Sequence, residues 1–155
     1  MSPAPPAPRS RRGSVLRVFA DTGPLVSYCL RRDAHHDWSV EIAAALRPPL
    51  YTCEAVLAEV FWRIGSEGGR PELIWEWIDR RVLVVDFHAA DHWADLSRLM
   101  RKYADQPMDF ADACVVKMTE LVTECRVWTT DTRDFKVYRR KERLQIPLIV
   151  PLPGT

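Results

Sequence analysis

The chain has 155 residues, 47% of them apolar and 28% charged, which allows one domain with a single core and excludes a disordered chain. No apolar run approaches the roughly 18 residues needed to cross a bilayer, and the opening MSPAPPAPRSRRG has charge and proline but lacks the apolar stretch of a secretory signal. A net charge of +1 excludes the strongly basic profile of many nucleic-acid binders, so any hold on a polyanion would have to come from a local basic rim or from bound cations.

Residues 1–13 hold four of the twelve prolines and three arginines without apolar periodicity, and are expected to form a flexible tail ahead of a domain spanning 14–155. SVLRVFA reads as a strand ending at Asp21, with Thr22, Gly23 and then Pro24 in the first turn of a helix. A second helix is predicted over 35–46, opened by His35 and His36 in solvent and ended by Pro48 and Pro49. LYT is a short strand. Val56, Leu57, Val60, Phe61 and Ile64 then recur at helical spacing until Gly65, Gly68 and Gly69.

PELIWEWIDR is a further helix, and the valine-rich VLVVDF is the clearest candidate for a buried strand. One helix is predicted over 89–103. Another covers 109–122, with an apolar face of Phe110, Cys114, Val115, Met118 and Leu121. RVWTT is a fourth strand ending at Asp131, TRDFKVYRRKERLQI a basic turn region, and PLIVP a last short strand. Strands alternating with helices predict an α/β sandwich around a parallel sheet of four to five strands.

Cys29, Cys53, Cys114 and Cys125 are scattered through apolar runs and make no CxxC pair, which fits reduced core thiols in a cytoplasm. His88 and His92 lie four apart without a surrounding HExxH, so a zinc role is not assigned to them. Core packing accounts for most of the six tryptophans. An exposed aromatic on the helix bearing Trp75 and Trp77 would instead suit a partner surface.

Acidic residues carry the chemical signal. In an open parallel sheet, ligands bind beyond the carboxyl ends of the strands, where Asp21 and Asp131 stand. Either could equally cap the helix that follows, and strand order decides whether the two are neighbours. Asp109 and Asp112 lie three apart at a helix start, where the dipole favours them but their mutual repulsion invites a shared cation. Glu59 falls about 130° from the centre of its helix's apolar stripe, as a surface glutamate would.

The motifs FADTGPLV, AEVFWRI, DFADACVV and TTDTRDF, in that order over residues 16 to about 151, resemble the PIN-domain family and its VapC-type toxins of toxin–antitoxin pairs. That resemblance implies a three-layer α/β/α sandwich. It makes Asp21, Glu59, Asp112 and Asp131 the catalytic, metal-binding quartet, adds Asp109 as an auxiliary ligand, and sets Thr22 and Thr129 beside the site. Magnesium or manganese would suit such oxygen donors, lowering the pKa of an attacking water and offsetting charge on the departing oxygen.

The implied activity is hydrolytic cleavage of single-stranded RNA, leaving 3′-hydroxyl and 5′-phosphate ends. The implied partners are the RNA, a cognate antitoxin and a second copy in a homodimer, with no membrane. Among basic residues, Arg133 and Lys136 stand nearest Asp131 in sequence and are the first candidates for phosphate; Arg31, Arg32, Arg139, Arg140 and Lys141 follow. Two other readings compete. One is a PIN-like domain that binds nucleic acid without cutting it. The other is a phosphatase-like hydrolase with Asp21 as nucleophile, disfavoured because TGPL follows Asp21 where a DxD arrangement is needed.

Overall fold

The computed structural model describes residues 14–154, so the Pro/Arg-rich stretch 1–13 lies outside the described residues. Its centre is a sheet of five parallel strands. Strand β1 (Arg17–Ala20) is the middle strand. On one side stand β2 (Leu50–Thr52) and β3 (Leu83–Val85), and on the other β4 (Cys125–Trp128) and, last in chain order, β7 (Leu148–Ile149). Register places Phe19 opposite Tyr51, Ala20 opposite Trp128, and Trp128 opposite Ile149.

Helices cover this sheet, as parallel strands buried on both faces require. Helix α1 (Thr22–Cys29) packs against α2 (His36–Ala45), α3 (Glu54–Ser66) and α4 (Glu72–Asp79). Helix α5 (Trp93–Lys102) packs against α6 (Phe110–Glu120). The core runs through Phe19, Leu25, Val56, Ile64, Val115 and Trp128. The four cysteines are buried in it as free thiols. Among the described residues, no helix is long and apolar enough to cross a membrane.

Several elements depart from the sequence reading. VLVVDF yields only the three-residue β3 at the sheet's edge, with Leu83 alone fully buried, because nothing pairs with its outer side. The predicted 89–103 helix is split. A 3₁₀ turn covers Ala89–His92, and His92 leaves helical geometry (φ −130°) with its ring stacked on Phe87 at 5.1 Å. Helix α3 runs through Gly65 and stops before Gly68, whose φ of +73° suits glycine.

The basic turn region is instead ordered structure. It contains helix α7 (Thr132–Val137) and an antiparallel hairpin of β5 (Arg139–Arg140) and β6 (Leu144–Gln145). His36, expected in solvent, is half-buried with Nδ1 2.8 Å from the Ser27 carbonyl. The face of α6 is also wider than predicted. Phe110 and Leu121 are exposed, while Ala111, Ala113 and Val116 are buried, so the helix is enclosed on most sides. Of the six tryptophans only Trp128 is fully buried; Trp62, Trp75 and Trp93 are more than half exposed, so core packing does not account for most of them.

Candidate active site

The strand order answers the question the sequence left open. Strands β1 and β4 are adjacent, and the sheet's winding reverses between them, with β2 and β3 to one side and β7 to the other. Such a reversal opens a crevice at the carboxyl ends of the strands. Asp21 and Asp131 both flank it. The Asp21 amide donates to the Trp128 carbonyl at 3.0 Å, which extends the β1–β4 seam up to the carboxylate. Thr129, fully buried, then links the two acids: its hydroxyl donates to Asp21 Oδ2 at 2.7 Å and accepts from the Asp131 amide at 2.9 Å.

Helix capping separates the acids into two kinds. Asp131 caps α7, accepting from the Asp134 amide at 3.0 Å. Asp109 caps α6 in a reciprocal box with Asp112, at 2.8 and 3.4 Å. Asp21 occupies the N-cap position of α1, yet its side chain makes no cap and turns to Thr129. A buried carboxylate that makes no helix cap is not explained by local folding alone. Glu59 reaches the same place from α3, accepting from the Thr22 hydroxyl at 2.7 Å. Asp112 accepts from the Tyr138 hydroxyl at 3.0 Å.

These groups line one cleft of about 530 Å³, with carboxylates from Asp21, Glu59, Asp109, Asp112, Asp131 and Asp134 and a single cationic side chain, Arg63. The electrostatic result is strain against ionisation. Burial pushes the Asp21 carboxyl up to about 6, reinforced by the charges of Asp131 and Glu59 and opposed by Thr129 and the Thr22 amide. Asp112 is pushed up to about 8, first by burial and then by the charges of Asp109 and Asp21, with Tyr138 opposing. Glu59 is raised by burial and by Asp109, with Thr22 and Arg63 opposing.

A group of six acids in which Asp21, Glu59 and Asp112 resist ionisation, and which has one cationic partner, Arg63, fits a divalent cation, since all its donors are oxygen. Among the described residues, no three acidic, histidine or cysteine side chains already stand at the spacing of a closed metal cage. The carboxylates line one cleft, and those of Asp21, Glu59, Asp109, Asp112 and Asp131 are each held by a hydrogen bond from Thr22, Thr129, Tyr138 or a helix amide.

The cleft therefore gathers Asp21, Glu59, Asp109, Asp112, Asp131 and Thr22, with Thr129 beneath. It does not gather Arg133 or Lys136, which are exposed on α7 and outside its lining. Three residues escaped the sequence reading. Arg63 lies one helical turn after Glu59, a spacing that could have revealed it. Asp134, read as a turn residue, also lines the cleft, and burial and Asp131 raise its carboxyl. Tyr138 had no signal, being embedded in a basic run.

That run also misled about phosphate. Arg140 is buried, and its guanidinium donates to the carbonyl of Thr119 in the last turn of α6 and to those of Val122 and Thr123 beyond it. Arg139 donates to the carbonyls of Lys136, Val137 and Tyr138 at 2.6–3.0 Å and so closes the end of α7. Arg140 is thus committed to the fold, and Arg139 commits one of its two terminal nitrogens. The Lys141 backbone amide donates to Glu120 at 2.8 Å, and the lysine side chain is exposed.

Comparison with known proteins agrees with this architecture. The sequence profile of the PIN domain matches residues 18–141. Among solved structures, the chain is similar to the crystal structure of VapC20 from Mycobacterium tuberculosis, a sarcin–ricin loop cleaving toxin. The match has a TM-score of 0.59 at 19% identity, covering 71% of this chain and 86% of that one. At the sequence level, no curated protein matches. With the profile spanning most of the chain, from β1 to the hairpin beyond β4, the protein belongs to the PIN-domain family.

Proposed function

We propose that this protein is a divalent-metal-dependent endoribonuclease and the toxin of a toxin–antitoxin pair. One observation carries the reading: six carboxylates share a cleft with one arginine at the reversal point of a parallel sheet. The likeness to VapC20, described as cleaving the sarcin–ricin loop, supports RNA as the substrate class. Asp21, Asp112, Glu59 and Asp131 would hold Mg²⁺ or Mn²⁺, with Asp109 as an auxiliary ligand. Such an ion, when bound, supplies acidity to a water and positive charge to the phosphodiester in its transition state.

The chain's own residues have narrower tasks. Thr22 and Thr129 fix the orientation of Glu59 and Asp21 through hydroxyl hydrogen bonds. Tyr138 does the same for Asp112. Arg63, the cation of the cleft lining, is the candidate for gripping a phosphate oxygen, whereas Arg133 and Lys136 could act only on strand passing over α7. Residues 14–155 make up this catalytic domain and 1–13 its tail. The protein acts in the cytoplasm as a homodimer, and exposed Trp75, stacked on Phe61 at 4.8 Å, belongs to the surface that meets the antitoxin.

The test is direct. Purified protein should cut RNA with Mg²⁺ or Mn²⁺, stop with EDTA, and leave 3′-hydroxyl and 5′-phosphate ends. Asp21→Asn should lose that activity. Full activity in Asp21→Asn would remove the site, and RNA binding without cutting would favour a non-cleaving domain.

A further inference from the structure

A second, larger cavity of about 910 Å³ lies where the end of α1 and the α1–α2 loop face the turn after α3. Arg31, Arg32 and Arg70 line it. All three are exposed, and none makes a side-chain hydrogen bond or ion pair among the described residues. Its two acids are already engaged: Asp33 accepts from the Ser27 hydroxyl and the His35 amide, both at 2.8 Å, and Glu67 pairs with Arg63 at 3.5 Å. The cavity is thus lined by three arginines whose side chains have no hydrogen-bond or ion-pair partner among the described residues, a donor set matched to phosphate oxygens.

Its position ties it to the acidic cleft. Trp62 and Arg63 stand three and four residues after Glu59 on α3, and Glu67, at its C-cap, four after Arg63, so one face of the helix runs from the cleft to the cavity. The rise from Glu59 to Ser66 is about 10 Å. Between the two sits Trp62, 73% exposed, an open ring of the kind on which an unpaired base stacks.

We infer that the Arg31/Arg32/Arg70 cavity is a phosphate subsite for RNA strand flanking the cut, reached over Trp62. This rests on the RNA-cleaving reading of the cleft. It resolves a difficulty of charge as well: with a net charge of +1 and a cleft full of carboxylates, the strand needs an anchor away from the reacting phosphate.

The experiment uses Asp21→Asn protein with Mg²⁺, so that RNA is bound but not cut, and reads fluorescence anisotropy of a long single-stranded oligoribonucleotide over a salt series. Adding Arg31→Ala, Arg32→Ala and Arg70→Ala should weaken binding roughly tenfold or more and lower the salt slope by about 2, at about 0.7 per lost contact. A tetranucleotide that fills only the cleft should bind both proteins equally, which separates loss of the subsite from damage to the fold. The triple lysine variant should recover most of the affinity. Unchanged affinity and slope in the alanine variant would overturn the inference, and so would a loss confined to poly-glutamate binding, which would assign the cavity to a protein ligand. If the Asp21→Asn protein binds no RNA at all, the RNA reading of the cleft fails first.

Discussion

Asp112 receives one hydrogen bond from outside its own helix, and Tyr138 provides it. The Tyr138 ring is fully buried, edge-on to Phe135 and Tyr103 at 5.3 and 5.2 Å, so its hydroxyl is held in place by packing. Removing a hydrogen-bond partner behind a metal ligand weakens metal affinity by about 10- to 100-fold. Tyr138→Phe, which keeps the ring, is expected to bind Mn²⁺ at least about tenfold more weakly in an electron-paramagnetic-resonance titration. An unchanged Kd would mean that α6 alone orients Asp112. At this scale the sequence was uneven. Asp21 and Asp131 could be found from strand ends, and Glu59 only through the motif around it. Tyr138 gave no signal and Arg140 suggested phosphate, because YRRKER looks like a solvated run until Lys141 and Glu142 adopt φ of 47° and 65° and turn it back onto α6.

At the scale of elements, the start of α6 has two duties that can be separated. Asp109 and Asp112 cap each other's amides, and both face the acidic cleft. Asp109→Ala removes cap and charge together and should cost about 1 kcal/mol in urea unfolding. Asp109→Ser keeps a capping oxygen, so it should unfold like the parent while still losing Mn²⁺ affinity. If serine restores both properties, Asp109 is a cap and nothing more. Helices with a clear apolar period, α3 above all, were legible in advance. Helix α7 and the hairpin were not, since a six-residue helix has too few turns to show a period and depends on Asp131 for its start.

For the whole molecule, the decisive fact is strand order, which no local pattern encodes because parallel neighbours are joined through distant crossovers. An α/β chain with a parallel sheet could be read from alternation; the adjacency of β1 and β4 could not. Bringing so many acids to one seam has a thermodynamic sign. Asp21 at about 6 and Asp112 at about 8 lie above the ordinary carboxyl value of 3.8, so the folded protein keeps protons that the unfolded chain has released. The stability these two groups contribute is present in full below about pH 4 and is lost as pH rises through 6 and then 8. In EDTA, calorimetry should therefore show Tm falling between pH 5 and 8, and Asp112→Asn should flatten the fall. Mg²⁺ should reverse it, by about 2.7 kcal/mol at a hundredfold excess over Kd. A Tm that rises over this range in EDTA would contradict the burial of these carboxyls.

Gly23 lines the cleft in the first turn of α1, beside the loop that follows β4. A Cβ built there would land on the Thr130 hydroxyl, with Thr130 Cβ at 3.1 Å and Cγ2 at 3.4 Å, so Thr130 would have to move. The missing side chain thus works as a hinge pin left out so that two doors can meet. Gly23→Ala would add no charge and remove no ligand, yet it would act as a shim between the segment bearing Asp21 and the one bearing Asp131. The variant should keep its helix content and lose Mn²⁺ affinity, a defect of spacing that no inventory of acidic residues would reveal.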